Sequence, residues 1–264
     1  MFESSDDPGE VAATLIGPSP AIRELREEAA LAGRVSVRVL ISGEYGVGKR
    51  RLARLVHQYS ARAHAPFVAV RCKDASDAQL SRRLFGDSGG VAGAFEHADG
   101  GTVLLEDVDS LSPAMQHRMR RFLDTGEIEV RGSEAPRRPN VRLISAMTRR
   151  LDEQRAADDS LADFYYLLNT IYLPVAPLRE RTEDVEPLLE FFTAYYARRS
   201  GVRIPSLTTE SRTNCRTCDW PANVRQLQAA AAMFVLPIPP ARPADILQSA
   251  ERMARSQRPP ILTL

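Results

Sequence analysis

Two hydrophobic spacings alternate along this chain as far as about residue 178, and only one continues beyond it. Ile22, Leu25 and Ala29, three and four residues apart behind Pro20, predict a helix that begins near Ser19 and stops at Gly33. Val37, Val39, Leu40 and Ile41 then form a short β-rich run like a buried parallel strand, and helical spacing over about 49–60 follows the glycines after it. The alternation repeats, with strands predicted at 67–70, 102–108, 141–146 and 171–175 and helices at 77–85, 112–123 and 161–168. Such a series predicts a parallel α/β fold with the sheet sandwiched by helices. After Leu178 only helical spacing remains, over 185–196, 223–235 and 244–254, separated by turn-prone or proline-rich stretches such as 237–243. The expected organisation is a flexible lead-in at 1–14, an α/β subdomain at 15–178, a smaller helical lid at 179–240 and a C-terminal helix or tail at 241–264.

Composition narrows the class. With 264 residues, 44% apolar and 26% charged, the chain can bury one large core or two smaller ones, which excludes disordered and collagen-like proteins. Lys and Arg number 35 against 34 Asp and Glu, a net charge of +1 without a long run of one sign, so charge names no partner and supplies no arm for nucleic acid. The longest apolar stretch, 229–236, is far short of the roughly 20 residues a bilayer span needs. The acidic start lacks the pattern of a secretory signal, so the expectation is a cytoplasmic protein without a membrane partner. Cys72, Cys215 and Cys218 are too few for a secreted disulfide scaffold, and reduced thiols are expected.

Gly43-Glu44-Tyr45-Gly46-Val47-Gly48-Lys49 fits G-x-x-x-x-G-K between a predicted strand and a predicted helix. Glycines let successive amides converge on a phosphate, the helix N-terminus adds partial positive charge, and Lys49 can reach the outer phosphates, so ATP or ADP is the expected ligand. Arg50 stands where many such loops place a Ser or Thr hydroxyl on Mg²⁺, so a metal would depend on carboxylates elsewhere. Glu106-Asp107, closing the run Val103-Leu104-Leu105, supplies the candidate pair: one carboxylate to hold Mg²⁺ through water and one to polarise the attacking water.

These residues, with Ile16-Gly17-Pro18-Ser19-Pro20, Leu84-Phe85-Gly86, the run Gly93 to Thr102, Asp163-Phe164-Tyr165-Tyr166-Leu167-Leu168-Asn169, Pro177-Leu178-Arg179-Glu180-Arg181 and Trp220-Pro221-Ala222-Asn223-Val224-Arg225-Gln226-Leu227, resemble the AAA+ central domain of sigma-54-dependent transcriptional activators. The resemblance spans about residues 15–236 and implies a P-loop NTPase (AAA+) sheet with a helical lid, ring assembly, and ATP-driven remodelling of the sigma-54 polymerase. Its departures fall at the working parts. The family's Gly-Ala-Phe-Thr-Gly-Ala loop, which touches sigma-54, is absent from the short interval between Gly86 and Gly93, so direct sigma-54 engagement is not expected.

The family's Asp-Glu pair is inverted in Glu106-Asp107, moving each carboxylate by about one methylene (~1.5 Å), a shift that can lower a rate on the order of a hundredfold. Arg71 replaces an Asn that helps control the catalytic Glu; it is read either as a partner for Glu106 or Asp107 or as an exposed strand-end arginine. Leu161 and Leu167 stand at the trans-acting arginine positions, where such arginines contribute roughly 10³ to 10⁵ in rate, with Arg149 or Arg155 as the alternative substitutes from nearby. Thr148 occupies the first sensor position with a shorter reach than Asn, and the second sensor, Arg225, is retained.

Weaker signals add little. Cys215-x-x-Cys218 has zinc-like spacing without a complementary ligand pair and is read as two helix-surface thiols, with a redox pair as the alternative. The four histidines fit no catalytic order, and Tyr165-Tyr166 and Tyr195-Tyr196 are expected as core packing on helices. Residues 244–264 are too few for a helix-turn-helix, and no receiver domain precedes residue 15, so no DNA reader or phosphorylation input is expected in this chain. The functional expectation is an ATP-binding AAA+ domain that regulates transcription through nucleotide-dependent protein contacts. Its hydrolysis is weak or absent, and its partner is an activator of the same family or another regulator, in a homo- or mixed oligomer. The alternatives are an active ATPase or a nucleotide-free interaction scaffold.

Overall fold

The computed structural model describes residues 15–87, 89–128, 136–148, 159–204, 206 and 208–235, with the backbone alone at 159–163 and 210. The described residues divide into two compact units: one comprises 27–43 and 49–174, the other 15–26, 44–48 and 175–235. The division is therefore interleaved. The first helix, α1 (Pro20–Arg34), contributes to both units, and the glycine loop at 44–48 groups with the later helices.

The first unit is built on five parallel strands, β1 (Val39–Ser42), β2 (Phe67–Arg71), β3 (Thr102–Glu106), β4 (Arg142–Met147) and β5 (Ile171–Pro174), in the order β2-β3-β4-β1-β5. Every residue of the interior strands β1 and β4 is buried, which is why they are mostly apolar apart from Ser42, Arg142 and Ser145, whereas the edge strand β2 alternates. Helices α2 (Lys49–Gln58), α3 (Asp77–Phe85), a single turn α4 (Ala94–His97), α5 (Pro113–Thr125) and α6 (Asp159–Leu168) complete the unit. Local chemistry sets their ends. Ser76 and Gln79 form a reciprocal capping box at α3. Ser112, predicted as the first helical residue, instead caps α5 ahead of Pro113, and Gly126 stops that helix at φ 70°. The strand predicted over 102–108 ends at Glu106 because Asp107 turns left-handed at φ 57° and leads into a 3₁₀ turn, Val108–Ser110.

The strand register aligns Arg71 with Glu106 and Glu106 with Ala146, so the carboxyl ends of β2, β3 and β4 gather the candidate chemistry on one edge of the sheet. Arg142, at the start of β4, is buried and donates to the carbonyls of Ala32 and Gly33 at 2.7 and 3.2 Å, closing the last turn of α1 with a cation where the helix dipole is negative. Burial presses its pKa down, with Arg62 adding to the effect. His57 is likewise a packing residue: its Nδ1 lies 2.9 Å from Thr102 Oγ1 and its ring packs on Phe67. Tyr165 is in the core as expected, but Tyr166 is 53% exposed, because consecutive side chains on α6 point about 100° apart and only the first meets the core.

In the second unit two 3₁₀ turns, Leu178–Glu180 and Thr182–Asp184, lead into α7 (Val185–Arg199), followed by α8 (Thr209–Thr217) and α9 (Asn223–Val235). Helix α8, in a stretch between the predicted helices, is capped by Thr208, whose hydroxyl accepts from Ser211 N at 3.1 Å. Cys215 on α8 is buried beneath Trp220, whose indole N–H donates to the Cys215 carbonyl at 2.8 Å, so the surface-thiol reading of Cys215 is corrected. The strap 15–19 closes on Asp184. Ser19 donates to it from N at 2.9 Å and from Oγ at 2.7 Å, and a Cβ on Gly17 would lie 2.1 Å from its carboxylate. No helix among the described residues is long and apolar enough to cross a membrane. The lead-in at 1–14 and the helix predicted at 244–254 lie outside the described residues.

Replacing Arg142 with Ala strands two buried helix-end carbonyls and leaves a void, so chemical unfolding should show a loss of roughly 2–4 kcal/mol, with Arg142→Lys recovering part of it.

Candidate functional site

Lys49 and Arg50 open α2 in the first unit, with β3 close by. Lys49 Nζ donates to the Gly43 carbonyl at 2.6 Å. Arg50, expected as a nucleotide contact, makes a fork with Glu106: Nε to Oε1 at 3.1 Å and Nη2 to Oε2 at 2.7 Å, with side chains only 24% and 15% exposed. This pairing was not foreseen, because nothing in the sequence sets the register of α2 on β3. Asp107 carries a second cation, Arg71 Nε at 3.9 Å, and Thr148 Oγ1 approaches it at 3.5 Å while Thr148 N bonds Asp109 at 3.2 Å. Burial raises the Asp107 pKa, and Lys49 and Arg71 oppose the rise. The first unit thus brings Arg50, Arg71, Glu106, Asp107 and Thr148 together. Leu167 lies on α6, and the side chain at 161 and residues 149 and 155 lie outside the description.

Mg²⁺ requires near-octahedral oxygen ligands at about 2.0–2.1 Å. Both Glu106 oxygens already accept from a guanidinium, and the position of the customary hydroxyl is that same arginine. Among the described residues no group of three acidic, His or Cys side chains is placed to hold a metal ion. The residues present do not fit Mg²⁺ held by Glu106.

In the second unit the loop 44–48 is clamped by its carbonyls. Asn223 Nδ2 donates to Tyr45 O at 2.9 Å, Arg225 N to Gly46 O at 3.3 Å, and Arg181 Nη2 to Val47 O at 3.1 Å. A trans peptide points its N–H opposite its C=O, so these clamps turn the amides of Gly46 and Gly48 the other way, as a phosphate cradle requires. The Val47 amide makes a long 3.5 Å turn bond to Glu44 O. Glycine is needed at 46, where φ is +81° and a Cβ would stand 2.2 Å from the Ala222 carbonyl. Glu44 accepts a fork from Arg179 at 2.6 and 2.9 Å and a bond from Asn223 at 3.1 Å, and the Arg225 guanidinium lies 5.6 Å from the Tyr45 ring centre. Arg181 is buried, which presses its pKa down, while its partner Asp184 opposes the shift. Arg179, Arg181 and Asn223 had no assigned role in the sequence. Their signal was membership in the strings Pro177 to Arg181 and Trp220 to Leu227.

The interval between Gly86 and Gly93 closes as a short turn. Asp87 Oδ1 accepts from Gly89 N and Val91 N at 3.0 and 3.1 Å, and a Cβ on Gly86 would meet Val91 O at 2.6 Å.

The family model of the sigma-54 interaction domain matches residues 15–174, and that of the AAA+ ATPase lid domain matches 179–239. The transcriptional regulatory protein XylR of Pseudomonas putida is 38% identical over 229 residues, 84% of this chain and 40% of that protein. The HTH-type transcriptional regulatory protein TyrR of Enterobacter agglomerans is 35% identical over 243 residues, 88% of this chain and 47% of its own length. The chain thus spans about half the length, or less, of these relatives. Among solved structures, NtrX from Brucella abortus in complex with ATP superposes with a TM-score of 0.81 at 27% identity, covering 94% of this chain and 62% of that one.

Asn223 sits at φ 51° and also accepts from Leu178 N at 2.7 Å. Asn223→Ala should lower stability by roughly 2–3 kcal/mol in urea unfolding, since it strands a buried N–H and removes the Tyr45 clamp. Desolvation pushes the Cys72 and Cys215 thiols up to about 12, so neither is a thiolate at pH 8. Iodoacetamide at that pH should label Cys218 alone in the native protein and all three cysteines after unfolding, as read by intact mass.

Proposed function

The chain belongs to the sigma-54 interaction domain family, with the P-loop AAA+ fold and its lid, and from that membership we propose that it is a nucleotide-binding regulator of transcription that hydrolyses ATP weakly or not at all. The observation that carries this reading is a contrast. The loop 44–48 has its carbonyls clamped by Asn223, Arg225 and Arg181, the arrangement a phosphate ligand uses, while Glu106 is held by Arg50. In this reading Gly43 to Lys49 and Arg50 take the phosphates of ATP or ADP, Arg225 reports occupancy, and Glu106, Asp107 and Thr148 keep the positions of a hydrolytic set without its standard geometry. A phosphate on the loop amides polarises the same peptides whose carbonyls Arg181, Asn223 and Arg225 hold, so occupancy is relayed to the start of α7 and to α9 within one unit.

The partner in this reading is another protein, an activator of the same family or a second regulator, in a homo- or mixed assembly. Direct sigma-54 contact is not proposed, because the described residues of the interval closed by Asp87 form no protruding hairpin. A working ATPase would require Glu106 to leave Arg50.

Millimolar ATP should stabilise the fold by about 2 kcal/mol if the dissociation constant is in the tens of micromolar, seen as a rise in Tm that Lys49→Ala removes. Steady-state hydrolysis should stay near background. Substantial turnover abolished by Lys49→Ala would establish the ATPase reading instead, and an unmoved Tm would leave a nucleotide-free scaffold.

A further inference from the structure

Each carboxylate of the Glu106-Asp107 pair carries its own guanidinium. Arg50 forks onto Glu106, and Arg71 stands at 3.9 Å from Asp107. An arginine cannot shed its charge at any pH the fold survives, so the positive charge a divalent cation would bring to this edge of the sheet is already built into the chain. A cation held by Glu106 would have to break a two-bond fork and then lie against the guanidinium it displaced.

We propose that this chain takes its nucleotide as the metal-free anion, with Arg50 in the place of Mg²⁺. The inference rests on the nucleotide-binding reading and deepens it. Lys49 and Arg50, adjacent at the start of α2, supply fixed cations for the outer phosphates. Arg50 brings its charge as part of the chain, and Glu106 orients its plane rather than a metal's water shell.

The test is the affinity of the full chain for ATP, measured by titration calorimetry in excess EDTA and again in excess MgCl₂. The two dissociation constants should agree within about threefold. A weakening of about tenfold or more on chelation would overturn metal independence while leaving nucleotide binding intact. No binding in either buffer would overturn the nucleotide reading itself, and this inference with it. Arg50→Thr restores a hydroxyl and frees Glu106, so it should acquire at least about a tenfold dependence on Mg²⁺. A folded Arg50→Thr protein that stays indifferent to the metal would remove Arg50 from the role.

Discussion

A peptide group cannot turn its N–H toward a ligand without turning its C=O away, and a carbonyl turned into protein must be met by a donor. That constraint organises the helical unit of this chain. Three consecutive carbonyls of the glycine loop are met by three different donors: an amide side chain, a helix-start N–H and a buried guanidinium. Each donor is fixed in turn. Arg181 is held by Asp184, Asp184 is held by Ser19, and Gly17 lacks a side chain because Asp184 occupies that space. Asn223 adopts a left-handed backbone that lets one side chain reach the loop and Leu178 together. The motif strings flanking the unit are thus the supports of a single loop conformation.

The fold was legible in the sequence where burial is two-sided or where a cap residue stands alone. Interior strands such as β1 and β4 face no water, so their runs Val39-Leu40-Ile41 and Leu143-Ile144 are apolar on both faces. Helix α8 was not legible. Its residues, Thr209 to Thr217, carry no apolar period, and only Thr208 marks its start. The candidate site divides the same way. Gly46 and Gly48 were readable because positive φ selects glycine, whereas the donors that meet the loop come from residues 134 to 179 positions away. Sequence spacing cannot give such pairings. The interleaving of the loop with the later helices was hidden for the same reason.

Arg50 and Glu106 show how two local departures become one feature. Taken separately, an arginine after the loop lysine removes a hydroxyl, and a glutamate in place of aspartate misplaces a carboxylate by about one methylene (~1.5 Å). In the fold the two changes answer one another. The longer side chain carries both oxygens of Glu106 to the planar fork of Arg50, and bonds of 3.1 and 2.7 Å show the fit. An aspartate at 106 would fall short by about that same methylene and leave one guanidinium edge unmet. A pair three-quarters or more removed from solvent on each side resists piecemeal loss, because deleting either partner leaves an uncompensated charge. Glu106 and Arg50 are thus matched in length and geometry as one pair.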